Sequence, residues 1–428
     1  MYSHFLRIRA DTIRDLQSGA RMHVYSSLSR QQDKEMNVDC LSPMVDGRPL
    51  RVLTVFGTRP EAIKLAPVWR CLEGQGTAIE SILCSTGQQR DLLLQTLSDL
   101  DVAPHIDLDL MQPRQDPLTF CARAMIALAP VMEKTRPDIV LVQGDTTSAL
   151  AGALACAHGQ ASLGHIEAGL RTFDDRHPFP EEINRRLIDQ LSVLAFAPTP
   201  TSARNLARDG VADARILVTG NTAIDALVET LRQMPPAPAG GPRRILVTCH
   251  RRESFGAGVR SICDALKALV LRNEGLEIVF VTHPNPEAGG VARERLAGIR
   301  GIDLRPPLDY TELVGLMRTS WLVLTDSGGL QEEAPLLGKP VLVLRQVTER
   351  PEGVEAGVAR LVGTDGTHIL DGVQRLYDDP AEYARMARPL ALYGDGAAAG
   401  RIVDALMHHA GLRPAPPAPF VPHPIDSQ

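Results

Sequence analysis

Residues 51–64, RVLTVFGTRPEAIK, predict a buried strand that turns directly into a helix. The first six are largely β-branched or apolar, Gly57 permits a tight turn, and Pro60 suits the first turn of a helix. A helix N-terminus behind a glycine turn binds anions, and Arg59 and Lys64 add two cations beside it. The spacing is not that of a Walker loop. The stretch therefore predicts a parallel α/β unit with an anion site at the end of its strand.

Strand-like runs alternate with helical stretches along the rest of the chain. They lie at 51–56, 80–85, 138–144, 162–167, 194–198 and 215–220, and then at 244–249, 276–283, 321–326 and 340–344. Such alternation predicts parallel sheets with helices on both faces. A proline-rich linker at 233–243 separates the two series. We therefore predict an α/β fold with two doubly wound domains, at 50–232 and 244–390, whose strand ends face a shared cleft.

The two ends of the chain have a different composition. Residues 1–49 are polar and contain no convincing strand, and residues 412–428 are rich in proline. We expect the first to be a disordered extension and the second a disordered tail.

Composition restricts the ligands and the compartment. The chain has 428 residues, 44% of them hydrophobic, and its net charge of -6 leaves no basic field for nucleic acid or an anionic membrane. The seven cysteines are scattered without a CxxC pair, so neither a disulfide framework nor a zinc site is predicted. No stretch has the length and apolarity of a signal peptide or a membrane span. We expect a cytoplasmic protein that binds small anions.

The segment HPFPEEINRR, residues 177–186, allows two interpretations. In the first, Pro180 begins a helix, Glu181 and Glu182 favour the positive end of its dipole, and each glutamate pairs with the arginine four residues on. Its apolar residues would then form a buried stripe: Ile183, Leu187, Ile188, Leu191 and Leu194. In the second, the carboxylates belong to an acid-base site. The segment by itself favours the structural interpretation.

Two further carboxylates follow predicted strands. Asp145 comes directly after the run at 138–144, where it would either cap the next helix or act in catalysis, and the cap is favoured. Glu167 ends the next strand, and because burying a carboxylate without a partner is costly, we predict that it is functional. The second domain opens with CHRRESFG, in which His250 and the two arginines that follow suit a loop around an anion.

The segment TDSGGLQEEAP, residues 325–335, predicts a nucleotide site. Ser327, Gly328 and Gly329 would bring backbone N–H groups to a helix N-terminus, which suits a diphosphate. Glu333, one turn inside that helix, can accept both hydroxyls of a ribose. Arg350 supplies another cation, although a loop arginine is usually solvated. These signals gather at successive strand ends, which indicates an active site between the two domains.

The chain closely resembles the non-hydrolysing UDP-N-acetylglucosamine 2-epimerases. The matching segments run in order from about residue 51 to 405: VFGTRPEAIKLAPV, VQGDTTSALA, GHIEAGLRT, HPFPEEINRR, VTGNTAIDAL, CHRRESFG, LTDSGGLQEEAPLLGKPVLVLR and TERPEGVEAG. The resemblance implies two Rossmann-like domains arranged as in B-type glycosyltransferases, with UDP in the cleft. It also implies a C-terminal helix, within 391–411, that returns to the first domain.

The family interconverts UDP-N-acetylglucosamine and UDP-N-acetylmannosamine by eliminating UDP to a glycal and adding it back. The resemblance implies no metal or redox cofactor, a homodimer, and a second UDP-N-acetylglucosamine as an activator. The catalytic residues of the family fall on Asp145, Glu167, Glu181 and His250. Its substrate contacts fall on Arg59, Lys64, Arg185, Ser327, Gly328, Gly329, Glu333 and Arg350. The activator site falls near Gln88, Arg251 and His283.

Several alternatives stay open at this point. One is a hydrolysing 2-epimerase that releases UDP and free sugar, and another is a 2-epimerase of a related 2,3-diacetamido sugar nucleotide. A B-type glycosyltransferase would need an acceptor, and a nucleotide-sugar sensor would bind without turnover.

Overall fold

The computed structural model describes residues 6–7, 47–112, 115–237, 240–249, 256–282 and 289–425. Its strands are β1 (Leu6–Arg7), β2 (Leu50–Phe56), β3 (Ile79–Ser85), β4 (Ile106–Asp107), β5 (Ile139–Gln143), β6 (Ser162–Ile166), β7 (Leu194–Ala197), β8 (Ile216–Val218), β9 (Arg243–Thr248), β10 (Leu276–Val281), β11 (Ile302–Arg305), β12 (Leu322–Thr325), β13 (Val341–Val343), β14 (Ala359–Leu361), β15 (Leu390–Ala391) and β16 (His423–Pro424). Its helices are α1 (Arg59–Glu73), α2 (Arg90–Asp99), α3 (Pro117–Thr135), α4 (Thr147–Ala157), α5 (Glu181–Leu191), α6 (Pro200–Arg208), α7 (Thr222–Gln233), α8 (Ala257–Arg272), α9 (Val291–Leu296), α10 (Tyr310–Thr319), α11 (Gly328–Leu336), α12 (Pro351–Glu355), α13 (Gly366–Asp378), α14 (Pro380–Met386) and α15 (Ala398–His409).

The first sheet is parallel and doubly wound. Its strand order is β1-β4-β3-β2-β5-β6-β7-β8, so the winding reverses between β2 and β5. Alternate residues of β2 serve opposite faces: Val52 and Phe56 join one hydrophobic core, whereas Leu53 and Val55 join the other. In open α/β sheets, ligands bind in the crevice outside the strand ends at such a reversal. The turns after β2 and β5 form that crevice here.

The second sheet repeats the arrangement. Its order is β11-β10-β9-β12-β13-β14, and the winding reverses between β9 and β12. Helices α8 and α13 cover one face through residues such as Leu266 and Val373, and α10 and α11 cover the other through Val314 and Leu330. The prediction of two doubly wound α/β units is confirmed.

Two helices join the halves. Helix α7 follows the first sheet in sequence, yet its Ala226 and Leu227 lie in the core of the second sheet with Val323. At the end of the chain, α15 lies on the first sheet, where its Ile402 and Leu406 belong to the same core as α1. The chain therefore passes from one half to the other and back again.

The two ends differ from the sequence expectation in the residues that the structure describes. Leu6–Arg7, in the extension predicted to lack a strand, pair in parallel with β4. The predicted disordered tail lies on the protein as far as Ile425: Phe420 is buried, its N–H donates to the carbonyl of Val218 at 2.8 Å, and β16 pairs with β15. The prediction of disorder rested on proline content, which does not show that the side chain of Phe420 is buried. Within the described segments, the helices are all too short or too polar to cross a membrane.

Candidate active site

The turn after β2 is closed by a carboxylate of its own helix. Glu61 Oε2 accepts the backbone N–H groups of Gly57 at 3.0 Å and Thr58 at 2.8 Å, and Oε1 accepts the hydroxyl of Thr146 at 2.8 Å. Burial raises the pKa of Glu61 to about 7, against the effect of these hydrogen bonds. Two backbone N–H groups of the predicted anion site are therefore occupied by a side chain of the protein, while the site itself stays a prediction. The Thr-x-x-Glu pattern of a capping box was the signal for these bonds.

The two cations of the same stretch face the cleft. The N–H of Arg59 donates to Gln89 Oε1 at 3.3 Å, and its guanidinium reaches the carbonyl of Leu308 in the second half at 2.6 Å. Lys64 Nζ lies 2.6 and 2.7 Å from the two carboxylate oxygens of Glu167. This stretch therefore presents two cations to the cleft, whereas the N–H groups of Gly57 and Thr58 are already bonded to Glu61.

Glu167 is the most heavily bonded carboxylate of the cleft. Besides Lys64, its donors are Gln143 Nε2, Asn221 Nδ2 at 3.0 Å and Arg350 Nη2 at 3.2 Å. Burial acts to raise the pKa of Glu167, but the charges of Lys64 and Arg350 outweigh burial and bring it to about 2. These contacts join residues of both halves in one buried cluster.

The backbone at Glu167 is strained. Its φ of +71° lies in the left-handed region, which costs a residue other than glycine about 1–3 kcal/mol. The neighbouring strand end approaches so closely that a Cβ on Gly144 would lie 3.3 Å from Glu167 Oε2. Strain of this kind persists where the surrounding contacts fix it, and the four donors to the carboxylate do so here.

Asp145 is not a helix cap. Thr146 caps α4, its hydroxyl accepting the N–H of Ala149 at 3.0 Å, and this overturns the favoured interpretation from the sequence. The Asp145 carboxylate instead accepts from Arg185 Nη2, and the amide of Asn184 donates to the Asp145 carbonyl at 2.9 Å. Helix α5 is therefore fastened to the turn that carries Asp145.

The ion pairs predicted for HPFPEEINRR are wrong. Arg185 donates to Glu182 at 3.1 Å and to Asp145 rather than to Glu181, and Arg186 pairs with Asp175 at 3.2 Å rather than with Glu182. Glu182 is buried and accepts two further backbone N–H groups, those of residues 172 and 173. It holds the preceding loop on α5, whereas Glu181, the first residue of α5, is only partly buried.

The predicted buried stripe of α5 is also partly wrong. Ile188 is fully buried, but Ile183 is 37% and Leu187 48% exposed. The inward face of the helix carries polar residues instead, among them Glu182, Arg185 and Asp189. The inward face of α5 therefore forms hydrogen bonds and ion pairs instead of an apolar core.

The second half supplies the glycine loop. Ser327 precedes α11 and its N–H donates to the hydroxyl of Thr325 at 2.9 Å, which shapes the turn into Gly328 and Gly329. Glu333 is buried one turn inside α11 and accepts the hydroxyl of Tyr310 at 2.7 Å. Burial raises the pKa of Glu333.

Four predicted residues need separate mention. His250, Arg251 and His283 lie outside the described residues. Gln88 is described: its Oε1 accepts both the N–H and the hydroxyl of Ser148, at 3.1 and 2.7 Å, and so holds the start of α4.

The sequence reasoning missed several buried polar residues of the cleft. Asn221 directly follows the predicted strand at 215–220, so its position at a strand end was the signal for it. For Glu332, the signal was its position beside Glu333 on α11. Burial raises the pKa of Glu332 to about 7, with the charge of Arg350 acting in the opposite direction. His165, which the sequence already places near Glu167 at the end of the same strand, is fully buried. It lies 2.7 Å from both Asp189 Oδ1 and the carbonyl of Gly144, and so supports the strand end beneath Asp145.

The chain matches known proteins over most of its length. A family model described as UDP-N-acetylglucosamine 2-epimerase matches residues 73–407. The chain is 46% identical over 373 residues to the UDP-N-acetylglucosamine 2-epimerase of Escherichia coli (strain K12), covering 84% of this chain and 99% of that one.

Solved structures agree in fold as well as in sequence. The S. aureus MnaA structure with UDP matches with a TM-score of 0.82 and 40% identity, over 87% of this chain and 100% of that one. The Neisseria meningitidis UDP-GlcNAc 2-epimerase bound to UDP-GlcNAc matches with a TM-score of 0.80 and 41% identity, over 84% and 100%. The chain described here therefore belongs to the UDP-N-acetylglucosamine 2-epimerase family.

Proposed function

We propose that the protein interconverts UDP-N-acetylglucosamine and UDP-N-acetylmannosamine by eliminating UDP across C1 and C2 and adding it back. In the elimination, a carboxylate takes the C2 proton, the C2–H electron pair forms the C1–C2 double bond, and the C1–O bond breaks toward UDP. In the return step the diphosphate oxygen adds to C1 and a proton reaches C2 on the opposite face. Membership of the epimerase family supports this reaction.

The observation that carries the mechanism is the contact of Glu167 with Lys64 and Arg350, one cation from each half. The C2 proton is weakly acidic, so the departure of UDP must be strongly assisted. A diphosphate carries more negative charge than a carboxylate and competes for both cations. As the cations turn to the diphosphate, Glu167 loses the charges that keep its pKa low and becomes a stronger base.

Inversion at C2 needs proton transfer on both faces of the sugar. Asp145 follows β5, Glu167 follows β6, and Glu181 begins α5, which Arg185 fastens to Asp145. We assign these three carboxylates to the acid-base chemistry. The catalytic role of His250, outside the described residues, stays a prediction.

Proton NMR in deuterium oxide tests the reaction. Incubated with UDP-N-acetylglucosamine, the protein should place deuterium at C2 while UDP stays attached to the sugar. Free sugar accumulating in step with UDP would replace this proposal by a hydrolysing 2-epimerase. Absence of any C2 exchange would overturn it for this substrate.

We also propose that the enzyme is a homodimer that pairs through α3. Apolar residues recur on the outer face of this helix, at 118, 122, 126 and 129, with Leu118 79% and Ile126 64% exposed. A stripe at helical spacing that remains in water is typical of a surface covered by another protein. A second copy of the chain is the partner that this proposal names.

Two further parts of the proposal concern regulation and location. For the proposed activator, a second UDP-N-acetylglucosamine, we place the site near Gln88, whose bonds to Ser148 connect it to the start of α4. We place the enzyme in the cytoplasm, where the composition of the chain predicts it.

A further inference from the structure

Asn221 presents its side-chain amide to two carboxylates at once. It caps α7, and its Oδ1 accepts the N–H of Ala223 at 3.0 Å, which turns Nδ2 toward the cleft. Nδ2 then donates to Glu167 Oε1 at 3.0 Å and to Glu332 Oε2 at 2.6 Å. The cap therefore fixes the direction of the donor, and the donor joins one carboxylate from each half.

Arg350 joins the same two carboxylates from the other side. Its Nη2 donates to Glu167 Oε1 at 3.2 Å and its Nε donates to Glu332 Oε1. The result is a closed ring of four residues, Glu167, Asn221, Glu332 and Arg350, all of them at most 7% exposed. Two members belong to the first half of the chain and two to the second.

We propose that Glu332 and Asn221 are positioning residues for the epimerisation, which hold Glu167 and Arg350 in a fixed relation across the cleft. The proposal rests on the proposed function, in which Glu167 exchanges protons with C2 and Arg350 meets the departing diphosphate. Neither Glu332 nor Asn221 has to touch the sugar for this role. Both act through the residues that they orient.

The contacts within the ring explain why Glu332 is a carboxylate and why residue 221 is an amide. Glu332 faces donors only, so a glutamine there would set its own NH₂ against Asn221 Nδ2 or Arg350 Nε and could satisfy only one of them. Asn221 needs both an acceptor for the cap and a two-hydrogen donor for the carboxylates. Serine keeps the acceptor and lacks that donor.

The test compares Glu332→Gln and Asn221→Ser with the wild-type enzyme. The readouts are the C2 deuterium exchange rate at saturating UDP-N-acetylglucosamine, UDP affinity by calorimetry, and the thermal midpoint. We expect exchange to fall on the order of 10- to 100-fold, as for a displaced catalytic group. UDP affinity should change by no more than about 3-fold, because Arg350 keeps its bonds to Glu349 and Glu167 in both variants and so stays near the diphosphate site. If Glu332→Gln folds poorly, Asn221→Ser, which keeps the helix cap, still tests the proposal.

Glu349→Gln provides the comparison. Glu349 also accepts from Arg350, at 2.6 Å, and from Arg345, at 2.6 Å, but it is not a member of the ring. This variant should retain at least about ten times the exchange rate of Glu332→Gln. The proposal is overturned if Glu332→Gln or Asn221→Ser exchanges at the wild-type rate, or if exchange, affinity and thermal midpoint all fall together. If the wild-type enzyme shows no exchange, the proposed function fails instead.

Discussion

Arg350 lies directly on the backbone of Gly328. A Cβ atom placed on this glycine would come within 2.7 Å of Cζ of the arginine. The guanidinium is not free to move aside, because its three nitrogens are bonded to Glu332, Glu349 and Glu167. The glycine is therefore required by the close approach of a fixed side chain.

Gly328→Ala should weaken UDP binding on the order of 10- to 100-fold. The added methyl group must displace Arg350, and a lost hydrogen bond to a charged group costs about 1.5–3 kcal/mol. Calorimetric titration with UDP measures the effect. Gly400→Ala, where a Cβ would meet nothing within 4 Å, is the matched control and should bind as the wild type does. Equal affinity of both variants would contradict the prediction.

Replacing each of the two neighbouring glutamates of α5 by glutamine, in separate variants, should separate effects on catalysis from effects on stability. Glu181→Gln is expected to lower C2 exchange by orders of magnitude with little change in the unfolding free energy. Glu182→Gln places an NH₂ group among N–H donors and should cost about 1–3 kcal/mol. Urea unfolding and C2 exchange of the two variants measure both effects. The reverse pattern would move the catalytic assignment by one residue.

Glu61 should make the protein lose stability as the pH rises. Its pKa of about 7 in the folded state exceeds the ordinary value of 4.5, so the native state binds the proton more tightly than the unfolded chain. The stabilisation is complete below about pH 4.5 and is lost as the pH rises through 7, by at most about 3 kcal/mol. Glu61→Gln keeps the shape of the site without titrating. The stability difference between variant and wild type, from urea unfolding at pH 5 and pH 8, should therefore shift toward the variant at pH 8. A difference that is independent of pH would contradict this assignment.

Ile126→Glu should convert the proposed dimer into a monomer. The substitution places a charge in the centre of the apolar stripe of α3, where it would have to be buried on pairing. Light scattering after size-exclusion chromatography gives the mass in solution. Leu271→Glu on α8, at a residue 74% exposed, is the control and should leave the mass unchanged. A dimer that survives Ile126→Glu would place the interface elsewhere.

The fold could be predicted from the sequence because strand and helix periods alternate clearly and the central strands are compact apolar runs. Strands β4, β11 and β14 were missed because they are too short or too polar to stand out. The strand-end rule located Asp145 and Glu167 for the same reason, since parallel strands bring their carboxyl ends to one edge. The partners of these carboxylates could not be predicted. Lys64 and Arg350 are 286 residues apart in the chain numbering, and only the packing of two sheets through α7 brings both to Glu167.

The errors arose where a local rule competed with a distant partner. Pairing four residues apart suggested Glu181 with Arg185, but Arg185 reaches Asp145, 40 residues away in the sequence, and Glu182 instead. Proline-rich composition suggested a free tail, but the burial of Phe420 holds it down. Such outcomes depend on which surfaces meet, and a single sequence does not give this.

The double passage of the chain between its halves, first after α7 and again before α15, has a consequence for motion. Because two chain connections join the halves, the relative rotation that costs least is a hinge motion about the line through both connections. We therefore expect the cleft to open for substrate by a single hinge rotation. This rotation must break the hydrogen bond from the Arg59 guanidinium to the Leu308 carbonyl. The sugar nucleotide would enter and leave at the rim farthest from the two connections, so the proposed glycal intermediate would stay enclosed while the halves are closed.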